Sequence, residues 1–332
     1  MAFVASAPCK AILFGEHYVV YGSPALSIAI EPRNTVEFTD GSNGIMLRTV
    51  FGAGKIAPDC SFSGAPELSP YAEVARKIFG ADKAPDCTAE FSSHWKLKGL
   101  GASASFCAAF AAGLFKLAGK KPSLEEIFAA AQAGDAVAHG GRASGIDAKT
   151  VSFGCPLVFQ RSFSPPAFKS KPAKFSMPPS SAFLLIDTYK GKKDGTAEML
   201  QIFAHEFGLV VPPADAPEET RGQIRQEFAP LWKKISKSIG KASASELGAL
   251  MNENHALLKK RKMSSAGIDS AVFAAISSGA YGAKLTGAGG EGGAALALCE
   301  KKEAGRMARK ITEGTGFECH VLQLAKKGAG ID

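Results

Sequence analysis

Long apolar runs are missing from this chain of 332 residues. No uninterrupted stretch approaches the roughly twenty apolar residues that a membrane-spanning helix needs. The opening MAFVASAPCKAILFGEH has no basic, apolar and cleavage regions in sequence, so it does not read as a signal peptide. A cytoplasmic protein without a membrane partner is expected. Paired cysteines are missing too. Cys9, Cys60, Cys87, Cys107, Cys155, Cys299 and Cys319 stand singly, odd in number and with no C-x-x-C, which favours reduced thiols over disulfides or a zinc site. The six histidines are equally scattered, with no H-x-x-x-H or H-E-x-x-H, so a transition-metal centre is not expected. Negative charge is in modest deficit, leaving a formal net charge of +8. The basic residues are nonetheless dispersed, apart from LLKKRK at 257–262, which reads as a solvated helix end. No nucleic-acid partner is expected, and a basic surface also suits small anionic substrates.

What is present is the balance of a globular protein, with 46% hydrophobic and 21% charged residues, and a length that favours two domains. Short strand-like pieces (KAILF, ALSIAI, TVEFTD, GIMLRTV) open the chain. GASASFCAAFAAGLFKLAG at 101–119 is small or apolar throughout and predicts a buried helix. A second helix starts after Pro122 with a capping box from Ser123 to Glu126. SFSPPAFKSKPAKFSMPPSS at 162–181 holds five prolines and predicts an extended connection and the domain boundary. Beyond it come a strand AFLLIDT, a mixed stretch, helices near 218–239, 244–262 and 269–278, and then strand, helix and strand at the end. Both halves are mixed α and β, giving expected domains of 1–180 and 181–332.

Two glycine clusters raise the question of chemistry. KLTGAGGEGG places five glycines in seven residues, 287–293, around the acid Glu291. The cluster is either a tight structural turn or a place where an anion approaches bare backbone. KGLGASAS at 98–105 lies between a candidate strand and the buried helix, and a glycine loop opening a helix offers unpaired N–H groups to phosphate. Gly99, Gly101 and Ala104 formally match the G-x-G-x-x-A dinucleotide fingerprint. The acids about twenty residues on, Glu125 and Glu126, sit in a helix's first turn, where that fold has no use for them.

AGDAVAHGGRASGIDAKT at 133–150 puts Asp135 and His139 on one helix face and Asp147 after a glycine-rich loop. These are either a surface pair and a cap, or the carboxylates of a metal-nucleotide kinase, one for Mg²⁺ and one at the acceptor hydroxyl. Lys10, Glu16 and His17 interrupt the apolar N-terminal stretch, as edge-strand charges or as site residues.

Together these segments resemble the galactokinase, homoserine kinase, mevalonate kinase and phosphomevalonate kinase (GHMP) superfamily. APCKAILFGEHYVVYG is similar to its first motif, GLGASAS to its phosphate loop, HGGRASGID to the segment with its aspartate and KLTGAGGEGG to its third motif. NENHALL at 252–258 resembles the helix that precedes the third motif. GEHYVVYG is closer to the mevalonate-specific branch than to galactokinases, which usually read acid-His-Thr-Asp there. The resemblance implies a two-domain α+β kinase with its site in the cleft between the domains, using ATP and Mg²⁺ on mevalonate. A related acceptor such as phosphomevalonate is the alternative, and a homodimer is left open.

By motif position the resemblance implies Asp147 and Lys10 as the catalytic pair. It implies Lys98, Gly99, Leu100, Gly101, Ala102, Ser103 and Ala104 around the triphosphate, and Ser103 and Asp135 on the metal. Glu16, His17, Thr196, Gly287, Ala288 and Gly289 are implied at the substrate. The chain departs from the motifs at Cys9, usually glycine, at Ala102, usually serine, and at Asp135, usually glutamate. It carries one extra residue between His139 and Asp147. Glu291 replaces a glycine and is expected to face solvent.

Overall fold

The computed structural model describes residues 2–93, 99–141, 143–192 and 194–332. The N-terminal half begins with β1 (Phe3–Phe14) and β2 (Ala25–Asp40), a long antiparallel pair joined through a 3₁₀ turn at Tyr18–Tyr21. β3 (Ile45–Thr49), β4 (Gly52–Ile56) and β5 (Phe62–Gly64) form a small meander. They precede α1 (Ser69–Phe79), β6 (Cys87–Ser93), α2 (Ala102–Leu117), α3 (Leu124–Ala138) and α4 (Ile146–Phe153). β7 (Leu157–Phe163) and β8 (Pro166–Pro172) make a hairpin.

In the second half, β9 (Ser181–Asp187) leads to α5 (Thr196–His205), α6 (Glu218–Ser238), α7 (Ala244–Lys260) and α8 (Ala266–Ser277). β10 (Gly282–Thr286), β11 (Ala294–Glu300), α9 (Ala304–Thr315), β12 (Glu318–Leu324) and β13 (Gly330–Ile331) complete it. The strands run in the order β10-β11-β9-β12-β2-β6-β3-β4-β5, with β1 and β7 also paired to β2. Sheet pairing therefore crosses between the halves, β12 on β2 and β13 on β1. The class is mixed α and β, as expected.

The expected helix at 101–119 is α2, and its composition explains its place. Eleven of its sixteen residues are buried, so it runs through the interior with no polar face. Small residues let it lie close to the sheet. A Cβ on Gly113 would stand 2.8 Å from Phe38 Cδ2 and nearer still to the outer ring atoms. The capping box at Ser123 and Glu126 forms at the start of α3, and a second one, Ser243 with Glu246, opens α7.

The proline-rich stretch, expected as an extended connection, is extended and is in part hydrogen-bonded into the sheet. Part of it is strand β8, whose one partner strand among the described residues is β7, so that it sits at a rim. Pro166 and Pro172 are its two end residues, where a missing N–H is tolerated.

Gly113→Ala is expected to destabilise the protein by about 1–3 kcal/mol, because overpacking against the buried Phe38 ring outweighs the gain in helix propensity of about 1 kcal/mol. Urea unfolding of the two proteins measures this, and kcat should stay within about twofold.

Candidate active site

A cavity of about 340 Å³ opens between the first turn of α2, the end of α3, the start of α4 and the glycine loop after β10. Lys10, His17, Gly99, Gly101, Ala102, Ser103, Asp135, Asp147, Thr196, Gly287, Ala288 and Gly289 all line it. Residues implied by four separate motifs are thus brought to one wall-to-wall space. Leu100 and Ala104 lie behind the lining, buried, and Lys98 lies outside the described residues. Glu16 does not line the cavity. Its side chain is fully buried and paired with Lys284.

α2 opens on Gly101, whose φ of 70° is left-handed and whose missing side chain leaves the helix start without a side-chain cap. The first N–H groups of α2 are therefore unpaired by any cap and carry the positive end of the helix dipole. A Cβ at Gly101 would stand 2.9 Å from Lys10 Cγ and 3.4 Å from Asp147 Oδ2. Glycine is needed here both for its dihedrals and for the room it leaves. The second glycine loop reaches the same place from the other side. Gly287 has φ 77°, and a Cβ on it would meet the Gly99 carbonyl at 3.0 Å. The two bare backbones meet across the cavity mouth, which accounts for the density of glycine in both.

Lys10 Nζ lies 3.0 Å from Asp147 Oδ1, the lysine almost wholly buried and the aspartate about a quarter exposed. The Lys10 backbone N–H donates to the Leu100 carbonyl at 2.9 Å, pinning β1 to the first glycine loop. Asp147 sits in the first turn of α4, where a carboxylate is stabilised by the helix dipole. His139 caps the end of α3. Its Nδ1 donates to the Asp135 backbone carbonyl at 2.9 Å, with Asp135 Oδ1 at 3.4 Å. The bond to Asp135 pushes the imidazole up to about 9, so a cation faces the cavity at neutral pH.

Asp135 is buried, and its Oδ1 accepts no well-formed hydrogen bond, having the His139 imidazole at 3.4 Å as an ion-pair neighbour. A buried carboxylate oxygen with a lone pair to give, in a cavity that Ser103 also lines, is the kind of donor that suits a hard cation such as Mg²⁺. Among the described residues no group of three or more His, Cys, Asp and Glu is placed to hold a metal. Mg²⁺ does not ask for one, since it is commonly held by one or two carboxylates together with substrate phosphates.

His17 has φ 61° and bonds through Nε2 to the Ala288 carbonyl at 2.9 Å, while its ring stacks on Phe203. Because a carbonyl only accepts, Nε2 carries the proton. Burial pushes the imidazole down to about 4. Sequence reasoning passed over Lys284 and Thr286, which join these segments from β10. A lone lysine inside an apolar strand was the available signal. Glu291 is exposed, as expected, and its backbone pairs with that of Asp194.

An uncapped helix start with an ion-paired carboxylate beside it can bind a polyphosphate and orient a hydroxyl toward it, which is the work of a small-molecule kinase. The family models agree. "GHMP kinases N terminal domain" matches residues 72–154 and "GHMP kinases C terminal" matches residues 235–314. The curated mevalonate kinase of Aeropyrum pernix is 30% identical, over 99% of this chain and 98% of its own length. The chain belongs to the GHMP kinase family. The crystal structure of the Methanococcus jannaschii mevalonate kinase superposes with a TM-score of 0.76 at 22% identity, covering 98% of this chain and 99% of that one. That of Lactococcus lactis galactokinase with galactose also reaches 0.76, at 17% identity, covering 99% and 94%. Equal scores for enzymes named for different acceptors mean that the fold does not select the alcohol. Membership of a kinase family implies ATP as phosphoryl donor. Among the described residues no helix is long and apolar enough to cross a membrane.

The low value for His17 has a consequence in acid. Unfolded histidine takes up a proton near pH 6.5, whereas folded His17 takes one up only near 4. The unfolded state therefore binds more protons between these values, and stability falls as pH drops through that window. His17→Gln keeps a donor for Ala288 and removes the titration. Between pH 7 and 5 wild type should lose about 2 kcal/mol more than this variant, read from urea midpoints. His255, also pushed down to about 4 by burial, should keep some pH dependence in both.

Proposed function

We propose that the protein transfers the γ-phosphoryl group of ATP to the terminal hydroxyl of mevalonate, giving 5-phosphomevalonate. The observation that carries the reaction type is the Lys10–Asp147 pair at 3.0 Å beside the uncapped start of α2. The choice of mevalonate rests on full-length likeness to a curated mevalonate kinase, since the fold alone leaves the acceptor open.

In this reading the first N–H groups of α2 and the backbone of 99–104 hold the phosphates. Lys10 and the His139 imidazolium offset their charge. Asp135 and Ser103 would hold Mg²⁺, which supplies charge neutralisation on the phosphates when bound. Asp147 accepts or orients the hydroxyl proton, and its ion pair with Lys10 keeps that carboxylate aimed. Thr196, His17 and the backbone of 287–289 enclose the acid end of the substrate. The reaction breaks the bond from the γ-phosphorus to the β–γ bridging oxygen and forms one to the acceptor hydroxyl oxygen, with ADP leaving; all of its reactants are polar small molecules, in keeping with a cytoplasmic enzyme.

The decisive assay offers Mg-ATP with mevalonate, phosphomevalonate, homoserine and galactose in parallel. Mevalonate should exceed each of the others in kcat/KM by at least about a hundredfold. Faster turnover of phosphomevalonate would replace the acceptor and leave the chemistry intact.

Two substitutions probe the roles. Asp147→Asn keeps shape and one accepting oxygen but removes the charge. It should lower kcat by at least about 10²-fold while calorimetry still detects both substrates, because general base catalysis typically contributes ~10²–10⁴-fold. Retention of more than about a tenth of kcat would move the proton-accepting role elsewhere. Ser103→Ala should raise the KM for Mg-ATP by about tenfold and leave the mevalonate KM within about twofold. A defect confined to mevalonate would take Ser103 off the metal.

A further inference from the structure

Lys284 lies in β10, the strand that runs into the second glycine loop, and its side chain is completely buried. Its ammonium donates to the Glu16 carboxylate and to the backbone carbonyls of Ile12 and Leu285. Glu16 is equally buried and takes a second bond from Asn254 Nδ2 at 3.2 Å. Two residues on, the Thr286 hydroxyl donates to the same Ile12 carbonyl at 3.0 Å. Two further on, Ala288 accepts from His17. Segment 284–288 is thus fastened to segment 12–17 at Lys284, Thr286 and Ala288.

α7 supplies the support behind β10. That strand is at the end of the sheet order, with β11 as its strand neighbour. Its outward N–H groups would lack acceptors, but Asn252 Oδ1 takes the Ala283 N–H at 2.9 Å and His255 Nδ1 takes that of Leu285 at 3.3 Å. The NENH stretch does for β10 what another strand would do, and Asn254 between them holds Glu16.

We propose that Lys284, with Glu16 and Asn254, is a positioning group that fixes the second glycine loop against the segment carrying His17. Glu16 acts through Lys284 and does not touch the substrate. A buried ion pair is seldom retained for stability, because desolvation offsets most of its attraction and an apolar pair of similar volume does as well. What Lys284 supplies is direction. One ammonium joins acceptors from two segments, Glu16 and Ile12 on one and Leu285 on its own strand, so β10 cannot slide along the end of β1. An apolar pair would fill the space without setting that register. The consequence reaches the cavity because His17, in its left-handed conformation, and Ala288, its acceptor, both line it.

This inference rests on the reading of the cavity as a mevalonate site only for its kinetic arm. The test is a cycle of Glu16→Gln, Lys284→Met and the double variant, with hydrogen exchange of amides 286–293 in the ligand-free proteins as a second arm. Glu16→Gln should raise the mevalonate KM by about tenfold in the wild-type background and by less than about twofold when Lys284 is already Met. The ATP KM should change by less than about threefold. Exchange in the loop should quicken by at least about tenfold in Glu16→Gln. An equal kinetic loss in both backgrounds would make Glu16 a direct substrate ligand and overturn the proposal. So would unchanged exchange in the loop, or a lowered Tm with both KM values intact. If Lys284→Met fails to fold, the KM split and the loop exchange of Glu16→Gln alone decide between the two roles. Wild-type turnover of mevalonate reports on the function separately, and the exchange arm does not depend on it.

Discussion

A lysine side chain taken out of water must be given partners, and Lys10 is the point from which the cavity is organised. Its ammonium has the Asp147 carboxylate at 3.0 Å, and its backbone N–H holds the Leu100 carbonyl. Those contacts bring three stretches of chain distant in sequence to one place: β1, the first glycine loop and the start of α4. The demand also fixes what cannot be there. A side chain at position 101 would press on the lysine stem and on Asp147, so the loop that opens α2 must be glycine at this point. An uncapped helix start follows, because the residue best placed to cap it has no side chain. The uncapped start of α2 and the room left for the Lys10–Asp147 pair are therefore two results of the same glycine.

The second glycine loop obeys a parallel constraint from the other half of the chain. Its contact with Gly99 is backbone to backbone, and such a contact has no side chains to adjust its distance. Position has to be set by what lies behind it, which is β10 and the polar groups along it. A loop with this much conformational freedom loses much entropy on being fixed, so the supporting bonds must be directional as well as numerous. The bonds from Lys284, Thr286 and His17 meet that requirement, and each one joins the loop side to the segment at 12–17.

Much of this was legible in the sequence, and the legible parts share a cause. α2, the capping box of α3 and the strand-helix-strand ending are local consequences of composition and periodicity, which a sequence displays directly. The glycine loops were legible because few structures other than turns and close backbone approaches use so many glycines. Harder to read were pairings between residues hundreds of positions apart. Glu16 looked like a site residue because it is an acid in an apolar stretch next to His17. Only its partner Lys284, 268 residues away, turns it inward. The proline-rich segment was legible as extended but not as paired. Proline forbids a central strand but permits the ends of a rim strand, and which of these a segment becomes depends on neighbours that its own residues do not specify.

The chemistry of the cavity can be ordered by how each group is held. Lys10 is fixed by burial and pairing, and Asp147 by that pair together with a helix start. Asp135 is held by burial, with the His139 imidazole 3.4 Å from its Oδ1. Thr196, by contrast, is exposed at the first residue of α5 and has no side-chain cap before it. In the proposed reading the groups at the phosphates and the reacting hydroxyl are held by burial and pairing, and so are His17 and the Ala288 backbone on the acceptor side, which leaves Thr196 as the exposed member of the set. Phosphoryl transfer needs alignment at the γ-phosphorus far more than it needs a close fit around a distant carboxylate or sugar ring. Enzymes named for mevalonate and for galactose share this fold at equal TM-score, so the framework that aligns the backbone does not by itself choose the alcohol.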